Sequence, residues 1–211
     1  MGEIRKLTVT ASYFHHAKVG HLLKSRASQN YVMYNRLTDE SAGTASYELE
    51  FPAGGVAYVI GNIIQQGPET ENSTIISFGA EGYRWPRNEL YLVNNTIAND
   101  RPEGATLLQV APGAQRVKAF NNLLLGKGAL DEITSGEYAA NLRAGRNDTV
   151  SASNQDYRLK GASKLVGKAI DPGIANGVPL RPDREYAHSR QVKPVPPGRP
   201  LSPGALQSVA P

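Results

Sequence analysis

The 211-residue chain contains no cysteine, so it has no disulfides, no thiolate nucleophile and no cysteine-ligated metal site. Aromatic residues are sparse at 7%, and tryptophan occurs once. No apolar run approaches the roughly 18 residues of a transmembrane helix, and the first residues lack the apolar core of a signal peptide. A glycine-rich phosphate loop and a His-Glu-x-x-His spacing are also missing. These absences argue against a helical membrane protein, a disulfide-stabilised module and a phosphate-loop enzyme.

Positive charge is concentrated at the start of the chain. Residues 1–36 carry six basic residues against one acidic residue, a balance of +5, whereas the whole chain has a net charge of +4. The remaining residues therefore carry a balance of −1. A local basic patch attracts polyanions such as acidic polysaccharide. Nucleic acid is the less favoured partner, because no recognised nucleic-acid-binding motif accompanies the charge.

A short unit recurs four times along the first two thirds of the chain. Each copy is an apolar strand followed by an asparagine, one variable residue and an aliphatic residue. The asparagines are Asn35, Asn62, Asn95 and Asn122, at separations of 27, 33 and 27 residues. A fixed local pattern with connections of variable length is typical of a solenoid. Equivalent asparagines one rung apart, about 4.8 Å, are expected to hydrogen-bond as a ladder and to tolerate a left-handed bend.

A shorter strand precedes each asparagine-bearing strand, so each rung is predicted to have two strand segments. In the strand at residues 46–51, alternation places Tyr47, Leu49 and Phe51 on a core face and Glu48 and Glu50 on a solvent face. The loop between the two segments is longest in the third rung, through residues 81–88. Insertions in solenoids commonly lie on the binding face.

The predicted fold class is all-β, because no amphipathic helix of ten or more residues interrupts residues 4–128. About five rungs are expected within a solenoid domain spanning residues 1–170. Residues 131–155 are expected to form a loop with one helical turn near residues 137–140. Nine of the 14 prolines fall in residues 171–211, which predicts an irregular extended tail without regular sheet, disordered after about residue 193.

With these units in place, the chain resembles bacterial right-handed parallel β-helix proteins of the pectate-lyase-like superfamily. The closing stretches Asp156–Lys160 and Glu185–His188 are similar to the end of such proteins, and the resemblance covers residues 4–190. It implies a right-handed parallel β-helix that is secreted or periplasmic. No capping element is visible before residue 4, which favours a C-terminal portion of a longer β-helix.

Lys24-Ser25-Arg26 is similar to the base region of alginate- and chondroitin-type lyases. Those families carry a Leu-Arg-His-Gly motif on the next rung, where this chain instead reads Glu48-Leu49-Glu50-Phe51-Pro52. Lys24 and Arg26 are expected on the same outer face as Glu48 and Glu50 of the next rung, with one of the amino-terminal histidines nearby. The predicted catalytic residues are Lys24, Arg26, His21, Glu48 and Glu50. A lysine or arginine would remove the proton α to a uronate carboxylate while a neighbouring cation neutralises that carboxylate.

Two other interpretations of these residues stay open. The cations and carboxylates could form only a salt-bridge ladder, or Glu48 and Glu50 could act as a glycosidase pair. The predicted substrate-binding residues are His15, Tyr47, Glu81, Tyr83, Arg84 and Trp85. No cofactor and no metal site are predicted, and calcium dependence and oligomeric state are left open.

The leading hypothesis is a lyase-like or binding module for acidic polysaccharide, with neither nucleic acid nor a membrane as partner. The alternative is a non-catalytic structural or adhesive solenoid, or a fragment without activity. Convergence of Lys24, Arg26, Glu48 and a histidine in one cleft would favour the enzyme.

Overall fold

The computed structural model describes residues 4–145 and 147–210, and it confirms the predicted solenoid. The chain coils as a right-handed parallel β-helix, and each of the first five turns gives one strand to each of three parallel sheets. The first sheet consists of β1 (Lys6–Thr10), β4 (Gln29–Met33), β7 (Val56–Ile60), β10 (Glu89–Val93), β13 (Arg116–Phe120) and β16 (Gly136–Ala139). Among the described residues, no helix is long and apolar enough to span a membrane.

Two further sheets complete each turn. The second sheet consists of β2 (Tyr13–His15), β5 (Arg36–Thr38), β8 (Ile63–Gln66), β11 (Thr96–Asn99), β14 (Leu123–Leu125) and β17 (Leu142–Arg143). The third sheet consists of β3 (His21–Lys24), β6 (Tyr47–Phe51), β9 (Thr74–Phe78), β12 (Ala105–Val110) and β15 (Gly128–Leu130). Each turn therefore has three segments rather than two, because the asparagine bend divides the long strand.

Like side chains stack on like inside the coil. Leu49 lies level with Ile76, and Phe51 lies level with Phe78, with ring centroids 6.4 Å apart. These side chains are fully buried. Burying each of them contributes about 1.5–3 kcal/mol relative to exposure. The stack fixes the register of the sheets, because a one-residue slip would bring polar side chains into the core.

The asparagine ladder is present at the bend between the first and second sheets. Asn35 Nδ2 donates to Asn62 Oδ1, Asn62 to Asn95 and Asn95 to Asn122, each at 3.0 Å. The same carboxamide oxygens accept backbone N–H bonds, as in Asn62 N to Asn95 Oδ1 at 2.9 Å. Asn122 continues to a fifth member, Asn141, at 2.8 Å. The ladder satisfies buried backbone donors that the bend removes from strand pairing.

The left-handed backbone at this bend belongs to the residue before each ladder asparagine, which corrects the expectation for the asparagines themselves. Tyr34 has φ of 57°, Gly61 of 67°, Asn94 of 52° and Asn121 of 59°. The ladder asparagine follows this turn residue, so its side chain points along the stack.

Three predictions for the last third of the chain are wrong: the helical turn, the tail without regular sheet and the disorder after residue 193. The expected helical turn near residues 137–140 is instead strand β16, which pairs with β13 and precedes Asn141. The proline-rich tail contains two hairpins, β20 (Ile174–Ala175) with β21 (Val178–Pro179) and β22 (Arg184–Ala187) with β23 (Gln191–Pro194). Before them, β18 (Thr149–Ser151), a 3-10 turn at Ala152–Asn154 and β19 (Asp156–Leu159) form another hairpin.

The tail is held against the coil by polar contacts from the turn residues of the bend. The Tyr34 hydroxyl donates to Asp183 Oδ1 at 2.8 Å, and Asn94 Nδ2 donates to the carbonyl of Ser202 at 3.0 Å. Leu201 and Ala205 are buried, so the segment after residue 193 is packed rather than disordered. A tail with few strand hydrogen bonds is thus fixed by side chains of the coil.

Candidate functional site

The outer face of the third sheet carries a row of polar side chains at one register. Lys24 of β3 pairs with Glu50 of β6, Glu50 with Ser77 of β9, and Ser77 with Gln109 of β12. Parallel strands lie about 4.8 Å apart, so the row spans four rungs in a straight line. We call the surface along this row, with His21 and Tyr47, the third-sheet groove.

An ion-pair cluster lies at one end of the third-sheet groove. Lys24 Nζ lies 2.8 Å from Glu50 Oε2 and 3.0 Å from Glu81 Oε1. The Arg26 guanidinium reaches both oxygens of Glu81, at 2.6 and 2.7 Å from Nη2. Two cations thus share two carboxylates, and the cluster is close to neutral.

The charges in the cluster hold one another ionised. Burial alone would lower the pKa of Lys24, but Glu50 and Glu81 outweigh it and the pKa of Lys24 is raised. Arg26 and then Lys24 lower the pKa of Glu81 to about 2. Lys24 is therefore protonated at neutral pH, which is the wrong state for a general base.

His21 lies between the cluster and an aromatic ring. Its Nε2 is 3.3 Å from Glu50 Oε2, and its ring centroid is 5.2 Å from that of Tyr47. Its Nδ1 is buried and has no hydrogen-bond partner among the described residues. Burial lowers the pKa of His21 despite the nearby Glu50 carboxylate, so the ring is neutral at pH 7.

The long loop at residues 79–88 delivers Glu81 to the cluster. Tyr83 anchors this loop, because its hydroxyl donates to the carbonyl of Ala111 at 2.7 Å and its ring lies 5.6 Å from Phe78. Trp85 Nε1 donates to the carbonyl of Arg26 at 3.2 Å. Tyr83 and Trp85 thus support the rim of the groove, whereas Arg84 is exposed.

Glu48 lies in the core rather than on the solvent face, which corrects the alternation expected for β6. Its side chain is fully buried, and neither carboxyl oxygen has a hydrogen-bond partner among the described residues. Since Leu49 pairs with Ile76, Glu48 lies level with the buried Ile75. Tyr47 takes the outward position instead, where it lies against His21. Glu48 therefore cannot serve in the groove, either with Lys24 or as a glycosidase pair with Glu50.

His15 also lies outside the third-sheet groove. It belongs to β2 of the second sheet, where its ring stacks on Tyr13 at 4.2 Å. The structure thus brings together Lys24, Arg26, His21 and Glu50 with Glu81, and separates them from His15 and Glu48. The two cations and one histidine therefore lie in one groove, as an enzyme would require, but Glu48 does not.

Sequence reasoning missed two groove residues, Ser77 and Gln109. Both lie on the row of Glu50 and line a cavity of about 370 Å³ together with Tyr47 and Asp131. The Ser77 hydroxyl is buried without a hydrogen-bond partner among the described residues. The sequence could have identified Ser77 and Gln109 because they stand at the same point of successive repeats as Glu50.

No three acidic or histidine side chains cluster as a metal site within residues 4–145 and 147–210. The fold and this surface define a class of protein: a right-handed parallel β-helix with a polar groove along one sheet. No family model, curated protein or solved structure matches the chain.

Proposed function

We propose that the chain is a non-catalytic carbohydrate-binding β-helix whose third-sheet groove holds a segment of acidic polysaccharide. The observation that carries this proposal is the convergence of Lys24, Arg26 and His21 with two carboxylates at one end of that groove. The likeness of the recurring strand-asparagine units to the pectate-lyase-like superfamily favours the same class of ligand.

The groove offers the contacts that a polymeric sugar needs. A strand spacing of about 4.8 Å is close to the length of one sugar unit in an extended chain, so successive rungs can meet successive units. The rings of Tyr47 and His21 supply apolar faces, while Ser77 and Gln109 supply partners for hydroxyl groups. The groove therefore suits a linear polymer better than a compact ligand.

Glu81 occupies the place that a ligand carboxylate would take. Both oxygens of the Glu81 carboxylate accept hydrogen bonds from the Arg26 guanidinium, a geometry that any planar carboxylate can copy. Its side chain is 36% exposed, so water and ligand can reach it. A uronate unit would displace Glu81 from Arg26 and leave Lys24 paired with Glu50.

Binding is better supported than cleavage by β-elimination. Lys24 stays protonated because Glu50 and Glu81 raise its pKa, so it cannot take up a proton. His21 is neutral, but its Nδ1 is buried and its Nε2 faces Glu50. A base that is both deprotonated and open to the groove is therefore missing from this cluster.

The first test is binding of alginate and polygalacturonate, with a neutral glucan as the matched polymer, measured by affinity electrophoresis and calorimetry. Both polyuronates are expected to bind and the glucan to bind less, with affinity falling as salt is added. The ultraviolet absorbance of the mixtures should stay constant, because elimination would create an absorbing unsaturated product.

Two variants test the role of the ion-pair cluster. Arg26→Gln removes a cation and should weaken polyuronate binding about two- to fivefold. Glu81→Gln frees Arg26, while Lys24 stays paired with Glu50, and should strengthen binding by a similar factor. Arg181→Gln, an exposed arginine on the tail, is the control and should change nothing.

Three outcomes would overturn the proposal. Equal binding of the glucan would remove the preference for acidic chains. A rise in absorbance would replace binding by lyase activity. No binding of any polymer would favour a purely structural solenoid.

A further inference from the structure

Two adjacent histidines at the end of β2 have their rings side by side. Neighbouring side chains of a strand face opposite ways, but His16 follows β2 with a left-handed backbone, at a φ of 54°. Its ring therefore lies beside that of His15, with the two Nδ1 atoms 2.7 Å apart. A left-handed backbone is uncommon for a residue with a side chain, and such strain concentrates at functional sites.

The contact between the two rings determines what the other nitrogen of His16 can do. At 2.7 Å one Nδ1 donates a hydrogen bond and the other accepts it. When His16 is the donor, its Nε2 carries a lone pair, and this atom lies 3.6 Å from Oε2 of Glu40. Two acceptor atoms then face each other across a gap, an arrangement that a cation between them makes favourable.

Glu40 is held in place for this gap by its own strained turn. Its backbone is also left-handed, at a φ of 59°. The buried Gln65 fixes that backbone, because Oε1 accepts from Glu40 N–H at 2.8 Å and Nε2 donates to the Glu40 carbonyl at 3.3 Å. The side chains of His16 and Glu40 are 40% and 27% exposed, so solutes can reach the gap.

Both facing groups are supported from behind. The Tyr13 hydroxyl donates to Oε1 of Glu40, which leaves Oε2 for the gap. The Tyr13 ring also stacks on His15 at 4.2 Å and thereby orients the acceptor for His16. Metal-binding histidines almost always donate their other N–H to an acceptor, and ligating carboxylates are themselves hydrogen-bonded. His15 and Tyr13 supply these two contacts.

The width of the gap indicates which ion fits. With bonds of about 2.0–2.1 Å, two ligands of a tetrahedral ion lie about 3.4 Å apart, and two adjacent ligands of an octahedral ion about 2.9 Å. The observed 3.6 Å is nearer the tetrahedral value. Zinc accepts imidazole nitrogen together with carboxylate oxygen, whereas magnesium and calcium prefer oxygen alone. No group of three acidic or histidine ligands forms within residues 4–145 and 147–210, so water completes the coordination.

We propose that Nε2 of His16 and Oε2 of Glu40 bind a zinc ion, with His15 and Tyr13 as positioning residues. His16 follows β2 of the first turn and Glu40 follows β5 of the second, so the ion clamps two successive turns that pair through only three residues here. Glu40 also lines a cleft of about 590 Å³ with Arg36 and Gln155, which keeps the ion open to solvent. This site is independent of the third-sheet groove.

The test is titration of the natural chain with Zn²⁺, followed by calorimetry and by NMR of the histidine side chains, with Mg²⁺ as the matched ion. Zn²⁺ is expected to bind at one site and to shift the nitrogen signal of His16 Nε2 to that of a metal ligand. Affinity should fall as the pH is lowered, because a ligating imidazole must be deprotonated. The midpoint of thermal unfolding should rise with Zn²⁺ and not with Mg²⁺.

Substitutions separate ligands from positioning residues. His16→Ala and Glu40→Gln should each weaken zinc binding by more than about tenfold, and His15→Ala by about tenfold. His15→Asn restores an acceptor for His16 and should recover most of that loss. His21→Gln in the groove and Glu103→Gln, at a side chain that is 69% exposed, are the controls and should bind as the natural chain does. Thermal unfolding without metal checks that each variant is folded.

Three results would overturn the proposal. Equal zinc binding by the natural chain and a folded Glu40→Gln variant would mean an adventitious ion only, held by a surface histidine. A His16 Nε2 that stays protonated in excess Zn²⁺ would mean that a proton occupies the gap. Equal shifts with Mg²⁺ would remove the selectivity for zinc. A His15→Asn variant as weak as His15→Ala would overturn the positioning role of His15.

Discussion

Replacing Glu48 by glutamine should flatten the dependence of folding stability on pH. Glu48 is fully buried in the hydrophobic coil, and neither of its oxygens is hydrogen-bonded within the described residues. Burial is the main cause of a pKa raised well above 4.5, and the nearby Asp39 adds to it. The side chain is therefore a neutral acid in the folded protein and a carboxylate in the unfolded chain at neutral pH.

The direction of the effect follows from which state holds the proton. Above the unfolded pKa and below the folded pKa, the folded protein binds one more proton at Glu48 than the unfolded chain does. The contribution of Glu48 to the free energy of unfolding is thus fully present below about pH 4, and it is lost as the pH rises through the pKa of the folded state. Each pH unit in that window lowers the folding equilibrium constant about tenfold, on the order of 1 kcal/mol.

The variant removes this proton linkage without removing much volume. Glu48→Gln cannot ionise, and Glu48→Leu matches the aliphatic side chain of Ile75 at the next rung. Asp39 keeps a pKa raised by burial, so a residual slope of the same sign remains. Between about pH 5 and pH 8, both variants should gain stability relative to the natural chain, by a few kcal/mol in total.

Urea unfolding at a series of pH values measures the effect as the difference in the free energy of unfolding between each variant and the natural chain. Glu137→Gln, at an exposed position on β16, is the control and should follow the natural chain. The reasoning is refuted if the free energies of unfolding of Glu48→Gln and the natural chain change in parallel with pH over this range. That result would mean that Glu48 is ionised equally in the folded and the unfolded chain.

Two further predictions concern the bend and the tail. Asn62→Ala should lower the free energy of unfolding by about 2–4 kcal/mol, because it leaves several buried groups unpaired, whereas Asn154→Ala at an exposed turn should have little effect. Equal urea midpoints for these variants would contradict the ladder. Tyr34→Phe removes the hydroxyl that donates to Asp183 at 2.8 Å and should hasten tryptic cleavage at Arg184. An unchanged cleavage rate would mean that other contacts hold the tail.

The repeated unit was enough to predict the coil because each copy solves the same local problem. Asn62 and Asn95 must pair their side chains at the same bend, so the same residue type recurs at the same place. The apolar positions around them stack in the core for the same reason. The last copy, at Asn141, was missed because its strand, Gly136–Ala139, is short and has no valine, leucine or isoleucine.

The candidate sites were predictable only in part because they join distant residues. Lys24 and Arg26 were found from their local pattern, but Glu81 lies 57 residues from Lys24 and reaches it only when a loop folds down. Arg36 meets Gln155 across 119 residues, through a hairpin outside the repeat. No pattern within one rung records such contacts.

The sequence by itself determined the coil. Stacked parallel strands need an asparagine at the same bend and apolar residues at the same core positions in every turn, so these residues recur along the chain. The tertiary structure alone decided which way the side chains of β6 face. Strict alternation gave Glu48 to solvent, but Glu48 lies inside beside Leu49, and Tyr47 lies outside against His21. Which side chain of a strand is buried depends on packing between rungs, and the strand's own residues do not determine it.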